Sequence, residues 1–276
     1  MSMATTSTII KIVGTHVPAM EVVSFRYGLS LVVLFPILSR YGWSVFRTPR
    51  PGLHLLRIVG STISILCGIY AFTRLPLATA VCLTFTRPLF MIVLALLFLG
   101  ERVRWRRGLA TVAGFIGVLI VAGPSDVSNL LAILAGLGSA AAIAGAMALV
   151  RQQAAVDSTA TIMAWNVAGC GVLALIPTPL IWQTPQPTDL SLLIVFGLLG
   201  TLGQYMMIRA FVHGESTVVN PIDYGQIIVT TIIGYMMFGE VPTIWTVAGA
   251  AIIIASTLYI VLREAKLRKL SPRLGP

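Results

Sequence analysis

The stretch LATAVCLTFTRPLFMIVLALLFLG, Leu77–Gly100, is followed by Glu101 and a second apolar run. It returns in loose form as STVVNPIDYGQIIVTTIIGYMMFG, Ser216–Gly239, which is followed by Glu240 and again by an apolar run. The offset between the copies is 139 residues (239 − 100), about half of the 276-residue chain. An apolar duplication of this size predicts a membrane protein of two related halves, with its working site where the halves meet.

The composition predicts that lipid covers most of the chain. It is 57% hydrophobic and 10% charged, with a mean hydropathy of +0.93, whereas a soluble domain carries about 25% charged residues. The three cysteines, Cys67, Cys82 and Cys170, lie in apolar runs without CxxC spacing. We interpret them as packing residues and expect neither a disulfide nor a metal site.

The fold class predicted from this pattern is an all-α membrane protein with ten transmembrane helices. About 20 apolar residues are needed for each crossing, and a shorter apolar run near residues 1–14 precedes nine stretches of suitable length. We divide them into a first five-helix repeat at 1–124, a second repeat at 125–264, and a basic tail at 265–276. The nine stretches lie near 18–39, 54–73, 77–99, 105–123, 127–150, 158–182, 190–212, 216–238 and 243–262.

The first segment is shorter than its repeat partner. Subtracting the offset from 127–150 gives −12 to 11, so about a dozen residues have no counterpart. Thirteen helical residues reach only about 20 Å of a hydrocarbon core about 30 Å thick. We therefore expect either a half-span or, preferably, an incomplete N-terminus. We do not expect a signal peptide, because MSMATTSTIIK lacks the basic region and the cleavage site of one.

Lysine and arginine placement predicts that the C-terminus lies on the cytoplasmic side of the membrane. With that orientation only Arg74 falls in a loop on the opposite side, and Lys11, Arg26, Arg57 and Arg87 lie in or near spans. The net charge of +10 then reflects topology, so we expect no nucleic-acid partner. Five spans per half also require the halves to be inverted. The 14 cytoplasmic basic residues are Arg40, Arg47, Arg50, Arg102, Arg104, Arg106, Arg107, Arg151, Arg209, Arg263, Lys266, Arg268, Lys269 and Arg273.

Polar side chains at matching positions of the two repeats predict a central site, since such groups are costly inside a membrane. Thr84 and Arg87 are three residues apart and share a helix face. The offset places Asp223 opposite Thr84 and Gln226 opposite Arg87, with Tyr224 beside them. Both central helices therefore carry a polar face at the same expected depth.

Two interpretations of these central residues stay open. In the first, Arg87 binds an anionic group and Asp223 a cationic group of a solute in a pocket, where Pro88 and Pro221 permit kinks and exposed carbonyls. In the second, Arg87 and Asp223 pair with each other or with bundle partners, or Arg87 extends to an interface. Asp223 is the acid nearest mid-span, which makes it the candidate for proton coupling.

Other embedded residues give weaker predictions. Trp165 and Asn166 are candidates to stack on and hydrogen-bond a planar solute, or are packing residues, and Gln204 is a further pocket candidate. For Arg26 an interfacial structural role is favoured over substrate contact. For Glu240, as for Glu101, we expect a carboxylate that stabilises the start of the following helix.

Motifs for enzymatic chemistry or cofactors are not found in the sequence. There is no phosphate-binding loop and no HExxH, and His16, His54 and His213 look isolated near span ends. We expect no enzyme activity and no cofactor, and transport that runs downhill or on an ion gradient. An internally duplicated chain can form a pathway as a monomer or as each subunit of a homodimer.

Three stretches resemble the EamA-type drug/metabolite transporter superfamily, and the resemblance covers nearly the whole chain. They are KIVGTHVPAMEVVSFRYG (11–28), YAFTRLPLATAVCLTFTRPLFMIVLALLFLGERVRWRRGLATVAGFIGVLIVAGP (70–124) and RAFVHGESTVVNPIDYGQIIVTTIIGYMMFGE (209–240). The resemblance implies two inverted five-helix halves around a central cavity that works by alternating access. The LPLATA…GERV…P-x-D-Y-x-Q pattern is similar to riboflavin-type and S-adenosylmethionine-type uptake carriers, and the superfamily also includes amino acid and drug exporters. Arg87 stands at a position that is generally small or apolar, which points to a carboxylate or phosphate on the solute.

The favoured function is therefore a secondary transporter for a small polar metabolite, preferably an amino acid or related zwitterion. The alternatives are a riboflavin-like or S-adenosylmethionine-like uptake carrier, broad drug efflux with an apolar pocket, and a membrane scaffold or binding protein without transport. In the last case the polar faces would join helices, and the basic loops would contact anionic lipid.

Overall fold

The computed structural model describes residues 2–98, 105–122, 127–212 and 225–270, and within these ranges the chain forms helices and no strand. The elements in chain order are α1 Ser2–Val13, α2 Ala19–Tyr41, a 3-10 turn Gly42–Phe46, α3 Pro51–Arg74, α4 Leu77–Thr84, α5 Arg87–Phe98, α6 Trp105–Ala122, α7 Val127–Ala154, α8 Thr159–Leu175, α9 Thr178–Ile181, α10 Pro187–Val212, α11 Gly225–Phe238 and α12 Ile244–Leu270.

These helices confirm the predicted fold class. Six stretches in the described ranges are long and apolar enough to cross a membrane, and four shorter apolar helices accompany them. Together they correspond to the ten predicted segments, with α4 and α5 forming one segment and α8 and α9 another. The helix α1 has 12 residues, whereas its repeat partner α7 has 28, so the first segment is short as expected. The division of the chain at residue 124 stays a prediction.

The outer surface of the bundle is apolar. On α3, Leu55, Leu56 and Ile63 are each about half exposed, and on α10 Leu202 and Met206 are likewise exposed. In water such a surface would be unfavourable, but hydrocarbon chains cover it without cost. This surface supports the interpretation of the low charged fraction as a sign of burial in lipid.

Small residues bring helices of the two halves into backbone contact. A Cβ atom on Gly249 of α12 would lie 2.5 Å from the carbonyl oxygen of Gly117 on α6. Only a residue without a side chain fits there, because real Cβ contacts are longer. Close packing of this kind replaces the hydrophobic effect as the force that holds membrane helices together.

One interhelical hydrogen bond shows that the halves are inverted. The backbone N–H of Leu77, at the start of α4, donates to Oε2 of Glu240 at 2.7 Å. Glu240 follows the end of α11, so α11 ends at the membrane face where the α4–α5 segment begins; we call this the Leu77 face. Phe98, which ends α5, lies across the bundle from it. Corresponding ends of repeat-related helices thus lie at opposite faces.

Glu240 acts on a different helix from the one that the sequence predicted. Its carboxylate accepts from Leu77 in the first half and pairs with Lys11, whose Nζ also donates to the Leu75 carbonyl oxygen at 2.7 Å. The Lys11 ammonium also lies 5.2 Å from the ring centroid of Phe238. A carboxylate at a helix start satisfies unpaired amides, and here the helix is α4 rather than the following α12.

A second pair of side chains joins the two halves at the opposite membrane face, which we call the His54 face. Nε2 of His54 lies 3.0 Å from Oδ2 of Asp157, between α7 and α8, and the Thr48 hydroxyl donates to the same oxygen at 3.1 Å. The prediction that His54 is isolated is wrong, since its partner is 103 residues away in sequence. Both membrane faces therefore carry polar contacts between the halves.

The α4–α5 segment is broken at its centre. Pro88 has no N–H, so the carbonyl of Thr84 loses its normal donor four residues later. The N–H groups of Phe85 and Thr86 bond instead to carbonyls three residues earlier, each at 3.1 Å. This break agrees with the kink predicted at Pro88 and places Thr84 and Arg87 on either side of it; Pro221 lies outside the described residues.

Candidate functional site: a central polar cavity

A cavity of about 260 Å³ lies inside the bundle, between helices of both halves. Its walls combine apolar side chains with arginines, hydroxyl groups and side-chain amides. The described residues that line it are Thr6, Ser7, Ile10, Arg26, Tyr27, Arg57, Ser61, Ser64, Ile65, Gly68, Ile69, Phe72, Thr84, Arg87, Ser139, Ile143, Ala146, Met147, Val150, Asn166, Phe196, Leu199, Gly200, Gly203, Gln204, Met207 and Gln226.

The repeat offset of 139 residues relates much of one cavity wall to the other. A residue from the first half and its counterpart in the second half both line the cavity in eight cases, which places it on the pseudo-twofold axis between the repeats. The pairs are Ser7 and Ala146, Tyr27 and Asn166, Arg57 and Phe196, Ser61 and Gly200, Ser64 and Gly203, Ile65 and Gln204, Gly68 and Met207, and Arg87 and Gln226.

Five of the residues selected from the sequence line this cavity: Thr84, Arg87, Asn166, Gln204 and Gln226. They come from the broken α4–α5 segment, from α8, α10 and α11, so the fold brings together side chains that are far apart in sequence. Two other selected residues, Asp223 and Tyr224, lie outside the described residues. Their assignment to the site, and proton coupling at Asp223, stay predictions.

A chain of side-chain hydrogen bonds runs along one wall. Gln204 Nε2 donates to Asn166 Oδ1 at 2.6 Å, and Asn166 Nδ2 donates to Ser61 Oγ at 3.2 Å. Across the cavity, Gln226 Nε2 donates to Ser7 Oγ at 3.4 Å. Because buried amides are orientated by such bonds, this network presents a defined set of donors and acceptors to a solute.

Trp165 does not line the cavity, contrary to the suggestion that it stacks on a solute. Its indole Nε1 donates to the Phe46 carbonyl oxygen at 3.0 Å, and its ring lies 5.3 Å from that of His54. The indole therefore joins α8 to the turn between α2 and α3 near the His54 face. The sequence placed Trp165 inside its span, but the indole points away from the cavity. Trp165 is therefore not part of the proposed site.

The cavity is also lined by two arginines that the sequence analysis did not assign to the site. Arg57 is buried, and its Nη1 donates to the Ile162 carbonyl oxygen at 3.0 Å and approaches Gln153 Oε1 at 3.4 Å. Arg26 was expected at an interface, but its guanidinium instead faces inwards over the ring of Phe196. The signal that could have found them was their charge inside a span.

The packing of α2 on α10 explains how Arg26 reaches the cavity. A Cβ on Gly197 would lie 2.7 Å from Leu29, and a Cβ on Gly200 would lie 2.5 Å from Nη1 of Arg26. The hydroxyls of Ser30 and Thr201 are 2.5 Å apart beside these contacts. The glycines spaced at three residues on α10 thus let α2 approach, while Gly203 has open space where a Cβ would stand.

The cavity is strongly positive among the residues that the structure describes. Three guanidinium groups, those of Arg26, Arg57 and Arg87, line it, and no aspartate or glutamate among its described lining residues offsets them. Inside a low-dielectric bundle this charge acts over a longer range than at a wetted surface. The arrangement can hold a polar solute through charge, hydroxyl and amide contacts, and the described lining offers no nucleophile–base pair for catalysis.

We expect water to reach Gly203 but not its neighbour Leu202 on α10. Cysteine would be introduced at either position after replacing Cys67, Cys82 and Cys170 by alanine, and labelling with a charged, water-soluble thiol reagent would be measured. Gly203→Cys should react because its side chain would enter the cavity, whereas Leu202→Cys faces lipid. Equal labelling of the two variants would contradict the assignment of an aqueous cavity.

Proteins of similar sequence are membrane carriers. An S-adenosylmethionine uptake transporter of Rickettsia conorii is 30% identical over 96% of this chain and 90% of its own length. A riboflavin transporter of Brucella anthropi is 30% identical, with 91% and 90% covered. The pseudopaline exporter CntI of Pseudomonas aeruginosa is also 30% identical, with 91% and 89% covered.

The same relationship is found at the level of fold and family. A solved crystal structure of a protein that is 16% identical superposes with a TM-score of 0.67 over 96% of this chain and 94% of that chain, which shows the fold alone. The profile of the EamA-like transporter family matches residues 1–123 and matches again over 130–262. The resemblance stated from the sequence is thereby confirmed, and the chain belongs to the EamA-like transporter family.

Proposed function

We propose that this chain is a secondary transporter that moves a small polar metabolite across the membrane by alternating access. The observation that carries the proposal is the cavity on the axis between inverted halves, lined by residues related by the repeat offset. A site at that place is reached from either face when one half rocks against the other. Membership of a transporter family and the carriers among its relatives support this function.

The size and lining of the cavity favour a small polar solute over broad drug efflux. A volume of about 260 Å³ lies near the lower end of the range of about 300–1,000 Å³ for ligand pockets. Much of the lining is apolar, but three arginines and several amides interrupt it, whereas a pocket for diverse lipophilic compounds would not need such a cluster of cations. Selective recognition by charge and hydrogen bonding is the better fit.

Contacts that join the halves at both faces are consistent with alternating access. Glu240 bonds to Leu77 and Lys11 at the Leu77 face, and Asp157 bonds to His54 and Thr48 at the His54 face. For a solute to enter from one side, the contacts on that side have to separate while those on the other persist. Each set of contacts involves few residues, which keeps the cost of either opening small.

The identity of the solute is open to two candidates. An amino acid or related zwitterion would use Arg87 for its carboxylate and Asp223 for its amino group, with Tyr224, Gln226, Thr84, Asn166 and Gln204 around it. A metabolite like those named for the relatives, S-adenosylmethionine or riboflavin, is the second candidate. A membrane scaffold without transport is the non-transport alternative.

The apolar helices and the transporters among the relatives support a multi-pass protein of the bacterial inner membrane, and the basic loops favour a cytoplasmic C-terminus. The energy source we propose is an ion gradient, with Asp223 as the proton-carrying group, since the sequence has no phosphate-binding loop. A single chain contains both repeats, so a monomer or a homodimer is compatible with this mechanism.

Replacing Arg87 by leucine should reduce transport of the native solute by roughly tenfold to a hundredfold, the loss expected for a charge-assisted hydrogen bond. Purified protein would be placed in vesicles, and uptake would be screened with labelled amino acids, S-adenosylmethionine and riboflavin. Arg74→Leu is the matched control, because Arg74 is exposed at the Leu77 face and lies outside the cavity. A scaffold would move no solute in any variant, and a broad efflux protein would keep its activity after Arg87→Leu.

Asp223→Asn should abolish the response of uptake to an imposed pH gradient, whereas exchange of solute between the two sides of the vesicle should persist at a reduced affinity, since Asp223 is also placed in the solute site. The reason is that exchange needs no net proton movement, whereas accumulation does. The measurement is uptake with and without a pH gradient, compared with counterflow at equal pH. Retention of full, pH-responsive accumulation in Asp223→Asn would remove this residue as the coupling group.

The proposed orientation predicts that a fluorescent protein fused to the C-terminus folds and fluoresces in a bacterial host, because such proteins mature in the cytoplasm. A C-terminal alkaline phosphatase fusion, which needs the oxidising periplasm, should be inactive. The reverse pair of results would place the C-terminus outside and invert the whole topology.

A further inference from the structure

We propose that Arg26 is the anchor of an anion-binding subsite in the cavity, and that the transported solute is a small organic oxyanion carrying more negative than positive charges. This inference rests on the proposed transport function but departs from the solutes considered there, because a zwitterion, riboflavin and S-adenosylmethionine carry no net negative charge. The oxyanion is a carboxylate or a phosphate ester, because both match the planar fork of an arginine side chain.

The first observation is that aromatic rings position the Arg26 guanidinium. Its Cζ atom lies 5.1 Å from the ring centroid of Phe196 and 5.9 Å from that of Tyr27, and all three residues line the cavity. A guanidinium over a ring face is attracted by the ring's negative face. The contact holds the head group in place and leaves its N–H donors, which lie in the plane of the guanidinium itself, available to a solute.

The second observation is that α10 is shaped to receive this head group. A Cβ on Gly200 would lie 2.5 Å from Nη1, 2.7 Å from Cζ and 3.1 Å from Nη2 of Arg26. Any other residue at position 200 would therefore displace the guanidinium. The Ser30–Thr201 hydroxyl contact at 2.5 Å fixes α2 against α10 beside it, so the position of Arg26 is built into the helix pair.

The third observation concerns the partners of Arg26 and Arg57. The ion pairs found in the described ranges are Lys11–Glu240 and His54–Asp157, and they include neither arginine. Within the same ranges no hydrogen bond joins the Arg26 guanidinium to a protein acceptor, whereas Arg57 donates to the Ile162 carbonyl. The Arg26 guanidinium thus has N–H donors available for a solute, whereas the Arg57 guanidinium is already hydrogen-bonded to the protein.

The balance of charge then sets the substrate class. Three guanidiniums and no carboxylate are found among the described lining residues, and counting Asp223 with them as one negative charge leaves that set with two more positive than negative charges. An uncompensated charge in a low-dielectric site is costly, and a solute with two negative charges removes that cost on binding. A cationic solute would add to it.

The test measures binding to the full chain in detergent by the rise in melting temperature with ligand concentration. The probes are succinate and glycerol 3-phosphate as anions, and lysine and S-adenosylmethionine as cationic solutes. We expect at least one anion to stabilise the wild-type protein and the cationic probes not to do so. Succinate without glycerol 3-phosphate would identify a carboxylate site, and the reverse a phosphate site.

Variants then assign the effect to Arg26. Arg26→Gln should weaken anion binding roughly tenfold to a hundredfold, with Arg26→Lys in between because the charge remains without the fork. Gly200→Ala should weaken it as well, although Arg26 is still present. Gly28→Ala is the control, since it lies on α2 near Arg26, has open space for a Cβ and does not line the cavity.

Anion affinity that is unchanged in both Arg26→Gln and Gly200→Ala would overturn the proposal, as would a wild-type protein that no anionic probe stabilises. If Arg26→Gln does not fold, Gly200→Ala decides the outcome by the same comparison with Gly28→Ala. Binding and vesicle uptake of a cationic probe alone would overturn the anion subsite but leave the transporter standing. Absence of flux for every solute in vesicles would instead remove the proposed function.

Discussion

The cost of placing a guanidinium inside a lipid-covered bundle is the constraint on which the rest of this structure depends. Lipid offers such a group no hydrogen-bond acceptor and no high-dielectric medium. Arg26, Arg57 and Arg87 therefore line one cavity inside the bundle, and hydroxyl and amide side chains of the surrounding helices line it with them. The outer surface is left to leucine, isoleucine and methionine side chains, which lipid accommodates without penalty.

The duplication supplies the geometry of this space, and the divergence of the two copies supplies its chemistry. Eight cavity-lining pairs share the repeat offset, but none of them keeps the same residue in both halves. Arg57 corresponds to Phe196, Ser61 to Gly200, and Arg87 to Gln226. The first copy contributes the cations, and the second contributes aromatic, amide and glycine positions against which those cations rest. An inverted pair of helical bundles thus yields a symmetric cavity with an asymmetric charge.

The polar contacts at the two membrane faces also pair a residue of one half with a different kind of residue of the other. Glu240 of the second half satisfies an amide and an ammonium of the first half, and Asp157 of the second half meets His54 of the first. In each case the carboxylate lies just beyond a helix end at a membrane face, where Asp157 is buried and the Glu240 side chain is partly buried. In the proposed transport cycle, these are the contacts that would separate when the cavity opens to one face.

Hydropathy and the repeat offset were enough to predict the all-α class, the inverted halves, the order of the helices and five cavity residues, because these depend on span length, loop charge and residue spacing. Spacing gives the depth of a residue and its neighbours along one helix face, but not which way that face points in a bundle where nearly every side is apolar. The sequence by itself therefore placed Arg87 and Asn166 near the centre. That Arg26 faces the cavity and Trp165 does not was decided only by the tertiary structure, because it depends on how each helix is rotated. The Lys11–Glu240 and His54–Asp157 pairs were also decided there, because they depend on packing between residues that are far apart in sequence.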